Sequence, residues 1–211
     1  MGFYSKVIIP FFYDFSMDSE QINQGRKSIL SKITEEKILE IGFGTGINLK
    51  FYPENVKHII GIDANEGMLK QAEQKISQSK IKIEIIHQSS ESLPFEDESI
   101  DAVLSTYTLC SIKNVKSALK EIYRVLKPGG KYYFLEHGLA DKPLTQKLQH
   151  LLNPIQNIWA GGCNLNRNIS ELISDSGFKI FELKNYYMKR DPKIVGYMYE
   201  GIAVKENQNA R

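Results

Sequence analysis

The sequence predicts a doubly wound α/β fold, a mostly parallel sheet covered by helices on both faces and finished by an antiparallel C-terminal hairpin. Two observations carry this. Strand-like apolar runs at about 37–42, 57–63, 81–87, 100–105 and 130–137 alternate with helix-like segments at about 46–52, 65–79 and 114–127, and such alternation builds strand–helix–strand units. The end of the chain breaks the pattern: Phe178 to Tyr187 and Val195 to Lys205 are separated only by a short stretch around Asp191-Pro192. A connection that short joins antiparallel neighbours.

In chain order, residues 1–30 read as an N-terminal flap or helical segment. Its apolar run, Val7 to Phe12, is six residues long and interrupted by Pro10, far below the roughly 20 residues that span a bilayer. It suits a segment packed on the domain, a flap over a cleft or an interfacial anchor. The next element is the most informative one. Lys37-Ile-Leu-Glu-Ile-Gly-Phe-Gly-Thr-Gly46 is a buried strand that runs into a glycine turn, and His58-Ile-Ile-Gly-Ile-Asp63 is a second strand ending on a carboxylate. Glycine lets a ligand approach the backbone, because no Cβ stands in the way.

The spacing of that turn selects the ligand class. A dinucleotide fingerprint places a third glycine five residues after the first, whereas here Gly42, Gly44 and Gly46 are followed by Ile47. A nicotinamide- or flavin-dinucleotide oxidoreductase is therefore disfavoured. Asp63 still fits a partner for ribose hydroxyls, since a carboxylate is an acceptor-only group able to take both. The ligand has a ribose and no pyrophosphate.

Further along come Ser89-Ser90-Glu91-Ser92-Leu93-Pro94-Phe95 after the third strand, Thr106-Tyr107-Thr108-Leu109-Cys110-Ser111 after the fourth, and Arg124-Val-Leu-Lys-Pro-Gly-Gly130 before the fifth. Together with the glycine turn and Gly61-Ile62-Asp63, these segments resemble the class I S-adenosylmethionine-dependent methyltransferases. The resemblance implies a Rossmann-like seven-stranded sheet of order 3-2-1-4-5-7-6. It implies S-adenosyl-L-methionine as cofactor and S-adenosyl-L-homocysteine as product. On the matching positions, Gly42, Phe43, Gly44 and Gly46 approach the methionine part of the cofactor, with Glu40 orienting its amino group. Asp63 holds the ribose, Ala64 and Met68 lie by the adenine, and Ser89, Ser90, Glu91 and Thr106 complete the site. Relatives carry an aspartate where this chain has Ser89, so a serine hydroxyl or a backbone carbonyl takes over as acceptor for the adenine amino group.

Length and charge bound the rest. A chain of 211 residues supports one domain, here 1–211. Its 27 basic and 25 acidic residues leave a formal charge of +2, without the one-sided basic excess of nucleic-acid binders, and no nucleic-acid partner is expected. Two cysteines, no metal-ligand spacing and no signal peptide point to a reducing cytoplasm and to no metal. No obligate protein partner is legible. Peripheral contact with a membrane surface is left open.

Between Pro143 and Ala160, Leu144, Leu148, Leu151, Leu152, Ile155, Ile158 and Trp159 recur at helical spacing opposite a polar face. Such a stripe is expected to face the core; the sharper reading makes 143–167 a cover over the acceptor pocket that also touches lipid or a greasy substrate. Trp159-Ala-Gly-Gly-Cys-Asn-Leu-Asn-Arg167, with Phe51-Tyr-Pro53 and Glu136-His137, narrows the resemblance to a subfamily of thiol S-methyltransferase-like and bacterial phospholipid N-methyltransferase-like proteins.

Methyl transfer needs alignment and exclusion of water, and needs a base only where the acceptor must lose a proton. His137, the side chain most easily poised near neutral pH, is the candidate base, or else a structural histidine bonded to the neighbouring loop. Tyr107 is the second catalytic candidate. Cys110 reads as a small buried hydrophobe. The acceptor is small or amphiphilic, a thiol first, with a phosphatidylethanolamine-type amine or a quinone carbon as alternatives. A non-catalytic S-adenosylmethionine-binding protein is the alternative of another class.

Overall fold

A computed structural model describes residues 9–207, with side chains from Tyr13 onward. Of the apolar run beginning at Val7, the first two residues and the side chains through Phe12 lie outside the described residues. The elements are α1 (Ile9–Met17), α2 (Glu20–Leu30), β1 (Lys37–Ile41), β2 (His58–Asp63), α3 (Glu66–Ser77), β3 (Lys82–His87), β4 (Ile100–Thr106), α4 (Val115–Val125), β5 (Leu126–His137), α5 (Pro143–Trp159), α6 (Ile169–Asp175), β6 (Lys179–Tyr187) and β7 (Tyr197–Val204). They form a seven-stranded sheet in the order β3-β2-β1-β4-β5-β7-β6. The first five strands pair in parallel and β7 runs antiparallel to both β5 and β6.

The strands bury side chains on both faces, as the unbroken apolar runs require. Leu39 and Ile41 of β1 pack with Leu119 and Ile122 of α4 and Ile173 of α6 on one face. Ile38 points the other way, toward Ile29 and Leu30 of α2. Because β1 lies between β2 and β4, the order reverses there, and a crevice opens beyond the carboxyl ends of these strands.

Two local elements differ from the sequence reading. The helix expected over 46–52 is a single 3-10 turn at Ile47–Lys50, limited at its start by Gly46 in the left-handed region (φ 73°) and followed by Pro53, which cannot supply an N–H. β5 begins at Leu126, so the Lys-Pro-Gly-Gly stretch belongs to the strand, with a register shift against β4 between Ile100 and Ala102.

The larger correction concerns α5. Its apolar stripe does not face the core: Leu144, Leu151, Ile158 and Trp159 are 73%, 71%, 75% and 72% exposed, while Gln149 is 0% exposed. The inner side of this helix meets backbone rather than apolar side chains. Gln149 Nε2 donates to the carbonyls of Gly138 and Ile194, both at 3.0 Å, and its Oε1 accepts from Ala140 N at 2.9 Å; Asn153 Oδ1 accepts from Leu165 N at 2.7 Å. Buried loop backbone needs partners, and these amides supply them. Gln149→Ala is expected to lower stability by roughly 3 kcal/mol, because it strands a buried N–H and two carbonyls; urea unfolding of the two proteins measures it.

No helix among the described residues is long and apolar enough to cross a membrane.

Candidate active site

The crevice at the strand-order reversal holds two adjoining cavities. The first, of about 630 Å³, is lined by Gly42, Gly44, Asp63, Ala64, Met68, Ser89, Ser90 and Glu91 among others. A second, of about 580 Å³, is walled by Met17, Ile22, Trp159, Met188 and Met198 and carries Cys110, His137 and Cys163. Tyr13, Tyr107, Ser111 and Ala160 belong to both walls.

In the first cavity the carboxylate of Asp63 organises the turn. Its Oδ2 accepts from Gly44 N at 2.8 Å and its Oδ1 from Asn65 N at 2.7 Å. Burial pushes the Asp63 carboxyl up, and these two N–H donors hold it partly back. The turn is itself close-packed: Gly42 has φ +72° and a Cβ there would lie 2.2–2.8 Å from the Thr108 side chain. Ile62, Met68 and Ile112 add an apolar slot. An acidic strand end, a bare backbone turn and an apolar slot fit a nucleoside carrying a short tail. On that basis Asp63 would hold ribose hydroxyls, Met68 and Ile112 would flank the base, and Gly42 and Gly44 would admit the tail.

Nine of the expected residues line this cavity: Gly42, Gly44, Asp63, Ala64, Met68, Ser89, Ser90, Glu91 and Tyr107. Four do not. Phe43 turns inward, buried in the core with its ring against Gly61. Gly46 faces Leu49, Phe43 and Ala72. Glu40 and Thr106 sit behind the turn around Asn48, whose Nδ2 donates to Glu40 Oε1 at 2.6 Å and to Thr106 Oγ1 at 2.9 Å. Tyr52 donates to the other oxygen of Glu40 at 2.8 Å, and Arg26 Nε donates to Asn48 Oδ1 at 3.0 Å. The strand-end rule finds these residues but does not say which way each side chain turns. Ser89 Oγ accepts from Glu91 N at 3.3 Å, and Glu91 Oε1 accepts from Asn114 N at 2.9 Å.

Burial pushes Glu40 from 4.5, the ordinary glutamate value, up to about 7, against the hydrogen bonds from Asn48 and Tyr52. Between these two pH values the folded chain keeps a proton that the unfolded chain has lost, so stability falls as pH rises through the window. Relative to Glu40→Gln, the wild type is expected to lose up to about 3 kcal/mol from pH 5 to pH 8, measured by urea unfolding. A parallel pH course in the two proteins would remove Glu40 as the cause.

Tyr107 stands at the junction of the cavities with φ 53°, a conformation that a bulky residue keeps only when its surroundings enforce it. Here Tyr107 N donates to Leu135 O at 2.8 Å, and the Arg26 guanidinium lies 5.0 Å from the ring centroid. Arg26 is fully buried, and its Nη2 has no partner among the described residues. Tyr13 of α1 closes the front. That helix is clipped to the glycine turn through Asp14, which accepts from Thr45 Oγ1 and, at 2.6 Å, from Lys75 Nζ. Tyr13 belongs to the N-terminal flap expected over 1–30, though no periodicity or motif singles it out within that segment.

Three loops meet in the second cavity. Glu136, fully buried at the end of β5, accepts from Ser105 Oγ and Thr108 N, both at 2.8 Å, and from Leu109 N at 3.1 Å, and so shapes the loop that carries Cys110. Asn164 donates twice to Cys110 O at 2.9 Å, lacing the loop after α5 onto it. His137 Nε2 comes within 3.0 Å of Cys163 Sγ. Hydrogen bonding from Cys163, helped by the His137 imidazole, holds the Cys110 thiol well below its ordinary range, and the same sharing pushes Cys163 up. Burial is the largest influence on His137 and opposes its charge, but the charge and hydrogen bond of Cys110 and the charge of Glu136 together outweigh it and raise the imidazole. Cys110 is buried, as expected of a small hydrophobe, yet it sits in polar company that its sequence neighbours do not reveal.

Comparison with known proteins agrees with this geometry. The family model described as a methyltransferase domain matches residues 39–134. Over 198 residues the chain is 30% identical to the human thiol S-methyltransferase TMT1A, covering 89% of this chain and 81% of that one. It is 29% identical over 147 residues to the ubiquinone/menaquinone biosynthesis C-methyltransferase UbiE of Bartonella quintana, covering 67% of this chain and 53% of that protein. The crystal structure of the YcgJ protein from Bacillus subtilis superposes with a TM-score of 0.71 at 17% identity, over 88% of this chain and 99% of that one, and shares the fold.

Proposed function

The chain belongs to the S-adenosylmethionine-dependent methyltransferases, and we propose from that premise that it S-methylates a small or amphiphilic thiol. The observation that carries this reading is the second cavity: it shares Tyr13, Tyr107, Ser111 and Ala160 with the cofactor cavity, is walled largely by apolar side chains, and sets Cys110, His137 and Cys163 in that wall. Its one carboxylate, Asp191, lies on an exposed loop, a poor cage for a cationic headgroup. The similarity to TMT1A, a thiol S-methyltransferase, supports the same acceptor.

S-adenosylmethionine supplies, when bound, a methyl group on a sulfonium. The chain's part is to place the acceptor beside it, keep water out and manage one proton. Tyr13 and Tyr107 form the partition at which the two cavities meet. Arg26, fully buried with its guanidinium 5.0 Å from the Tyr107 ring centroid, backs that partition. His137 is the candidate base of the acceptor cavity, able to take a thiol proton whenever its imidazole is in the neutral form. The exposed apolar face of α5 ends at Trp159 in the acceptor wall, which favours amphiphilic acceptors delivered from a lipid surface or micelle.

Formation of S-adenosylhomocysteine from pooled thiols, lipid amines and quinones tests the reading. Turnover is expected on thiols, rising with alkyl chain length; turnover confined to amines or quinones would overturn it. His137→Asn is expected to lower turnover by on the order of 10²-fold or more while S-adenosylhomocysteine affinity is unchanged. Undiminished turnover in that variant would exclude the imidazole from the reaction.

A further inference from the structure

We infer that Cys110, His137 and Cys163 form a three-ligand site for zinc or a similar thiophilic divalent cation, with its fourth position open to the acceptor cavity. The metal site stands on these side chains alone; its role toward the acceptor rests on the thiol reading above.

Among the described residues this is the only group of His, Cys, Asp or Glu whose ligand atoms converge, all within 4.8 Å of one another. A tetrahedral zinc ion joins such atoms through bonds of about 2.3 Å to sulfur and about 2.0 Å to nitrogen. The donor set, two thiols and an imidazole, is one that zinc prefers. Each ligand comes from a separate backbone segment held by other bonds: Cys110 by Asn164 and the Glu136-bound loop, His137 by the pairing of β5 with β7, and Cys163 by the turn after α5. His137 Nε2 already faces the thiols, 3.0 Å from Cys163 Sγ, and is the nitrogen placed to bind the ion. All three residues line the acceptor cavity, which leaves the open position that catalytic zinc sites keep.

Charge supports the same arrangement. Two thiolates neutralise a divalent ion, and an acceptor thiolate adds one negative charge. Arg167 lies within electrostatic reach of Cys110 and Cys163 and donates to Leu109 O, so its guanidinium balances that charge. With the ion bound, His137 is a ligand rather than the base. Coordination of R–SH releases its proton to solvent and leaves a metal-bound thiolate. The sulfur lone pair forms the new S–CH3 bond as the methyl–sulfonium bond breaks, and that electron pair returns to the cofactor sulfur. The products are the thioether, S-adenosylhomocysteine and one proton.

The full chain, reduced and stripped with a chelator, is titrated with Zn2+ alone and with Co2+ alone. One equivalent per chain is expected, with thiolate-to-cobalt charge transfer and the intense visible bands of a tetrahedral ion. Cys110→Ser and Cys163→Ser are expected to weaken Zn2+ binding by on the order of a hundredfold while retaining a thermal shift with S-adenosylhomocysteine. Should either variant fail to fold, the wild type still decides: the chain has two cysteines, and Zn2+ is expected to protect both from alkylation, read by mass spectrometry. No charge-transfer band, or alkylation unaffected by Zn2+, overturns the site. Equal thiol turnover by stripped and Zn2+-loaded enzyme overturns its role toward the acceptor. Zn2+ uptake without turnover on any thiol would leave the metal site standing and defeat the thiol reading instead.

Discussion

Gly42→Ala is expected to remove measurable S-adenosylhomocysteine binding, with affinity falling by at least about 10²-fold and a loss of stability of roughly 3 kcal/mol. Two costs combine. An alanine at φ +72° costs about 1–2 kcal/mol of backbone strain. Its Cβ would also lie 2.2 Å from Thr108 Oγ1, 2.4 Å from Cγ2 and 2.8 Å from Cβ. The threonine is not free to retreat, because its hydroxyl donates to Thr106 O at 3.0 Å and its N–H to Glu136 at 2.8 Å. The turn must therefore move, and with it the backbone facing the cofactor. Gly44→Ala separates the two costs. At φ +58° it carries similar strain, but the nearest atom to its Cβ is 3.8 Å away, so its stability loss is expected to be the smaller. A Gly42→Ala, Thr108→Gly double variant should recover part of the deficit. Calorimetric titration with S-adenosylhomocysteine and urea unfolding measure both; equal stability losses at 42 and 44 would refute the steric account.

Asp63→Ala is expected to weaken S-adenosylhomocysteine binding by 10²-fold or more, about 3 kcal/mol, as befits the loss of charge-assisted hydrogen bonds to ribose hydroxyls at a largely buried position. Part of that loss is indirect, since the carboxylate also ties Gly44 N to Asn65 N. Asp63→Asn keeps one acceptor and should fall between the alanine variant and the wild type. Thermal shift at saturating ligand gives the same order by mass action. Wild-type affinity in Asp63→Ala would mean that another group holds the ribose.

The parts of the fold that were legible rest on local repetition. Alternating apolar runs and helical segments gave the strands to within a few residues, and the short 187–195 connection gave the antiparallel hairpin. The 3-10 turn after Gly46 was over-extended because apolar spacing continues through Ile47 and Leu49 while Pro53 stops it. The strand ends singled out for the cofactor do line the first cavity. Side-chain direction was not legible: Phe43 turns into the core and Glu40 turns to Asn48 and Tyr52, because neighbouring residues on a strand point to opposite faces and packing decides which face is buried.

The α5 helix shows where periodicity misleads. Its leucine stripe satisfies every local criterion for a core-facing helix, yet the burial goes to Gln149. What lies beneath it is unpaired backbone at the ends of β5 and of the loop before β7, and an amide satisfies that where a leucine cannot.

By itself, the sequence determined the parallel sheet with its reversed C-terminal hairpin, and it marked the glycine turn and Asp63 as strand ends that meet at one cavity. These depend on backbone conformation and on spacings between near neighbours, which a linear pattern records. Only the tertiary structure decided that Tyr13 and Tyr107 divide two cavities, that α5 turns its apolar face outward, and that Cys110, His137 and Cys163 meet. Those outcomes depend on strand order and on how loops from distant parts of the chain pack at the sheet's carboxyl end, and no local pattern encodes that packing.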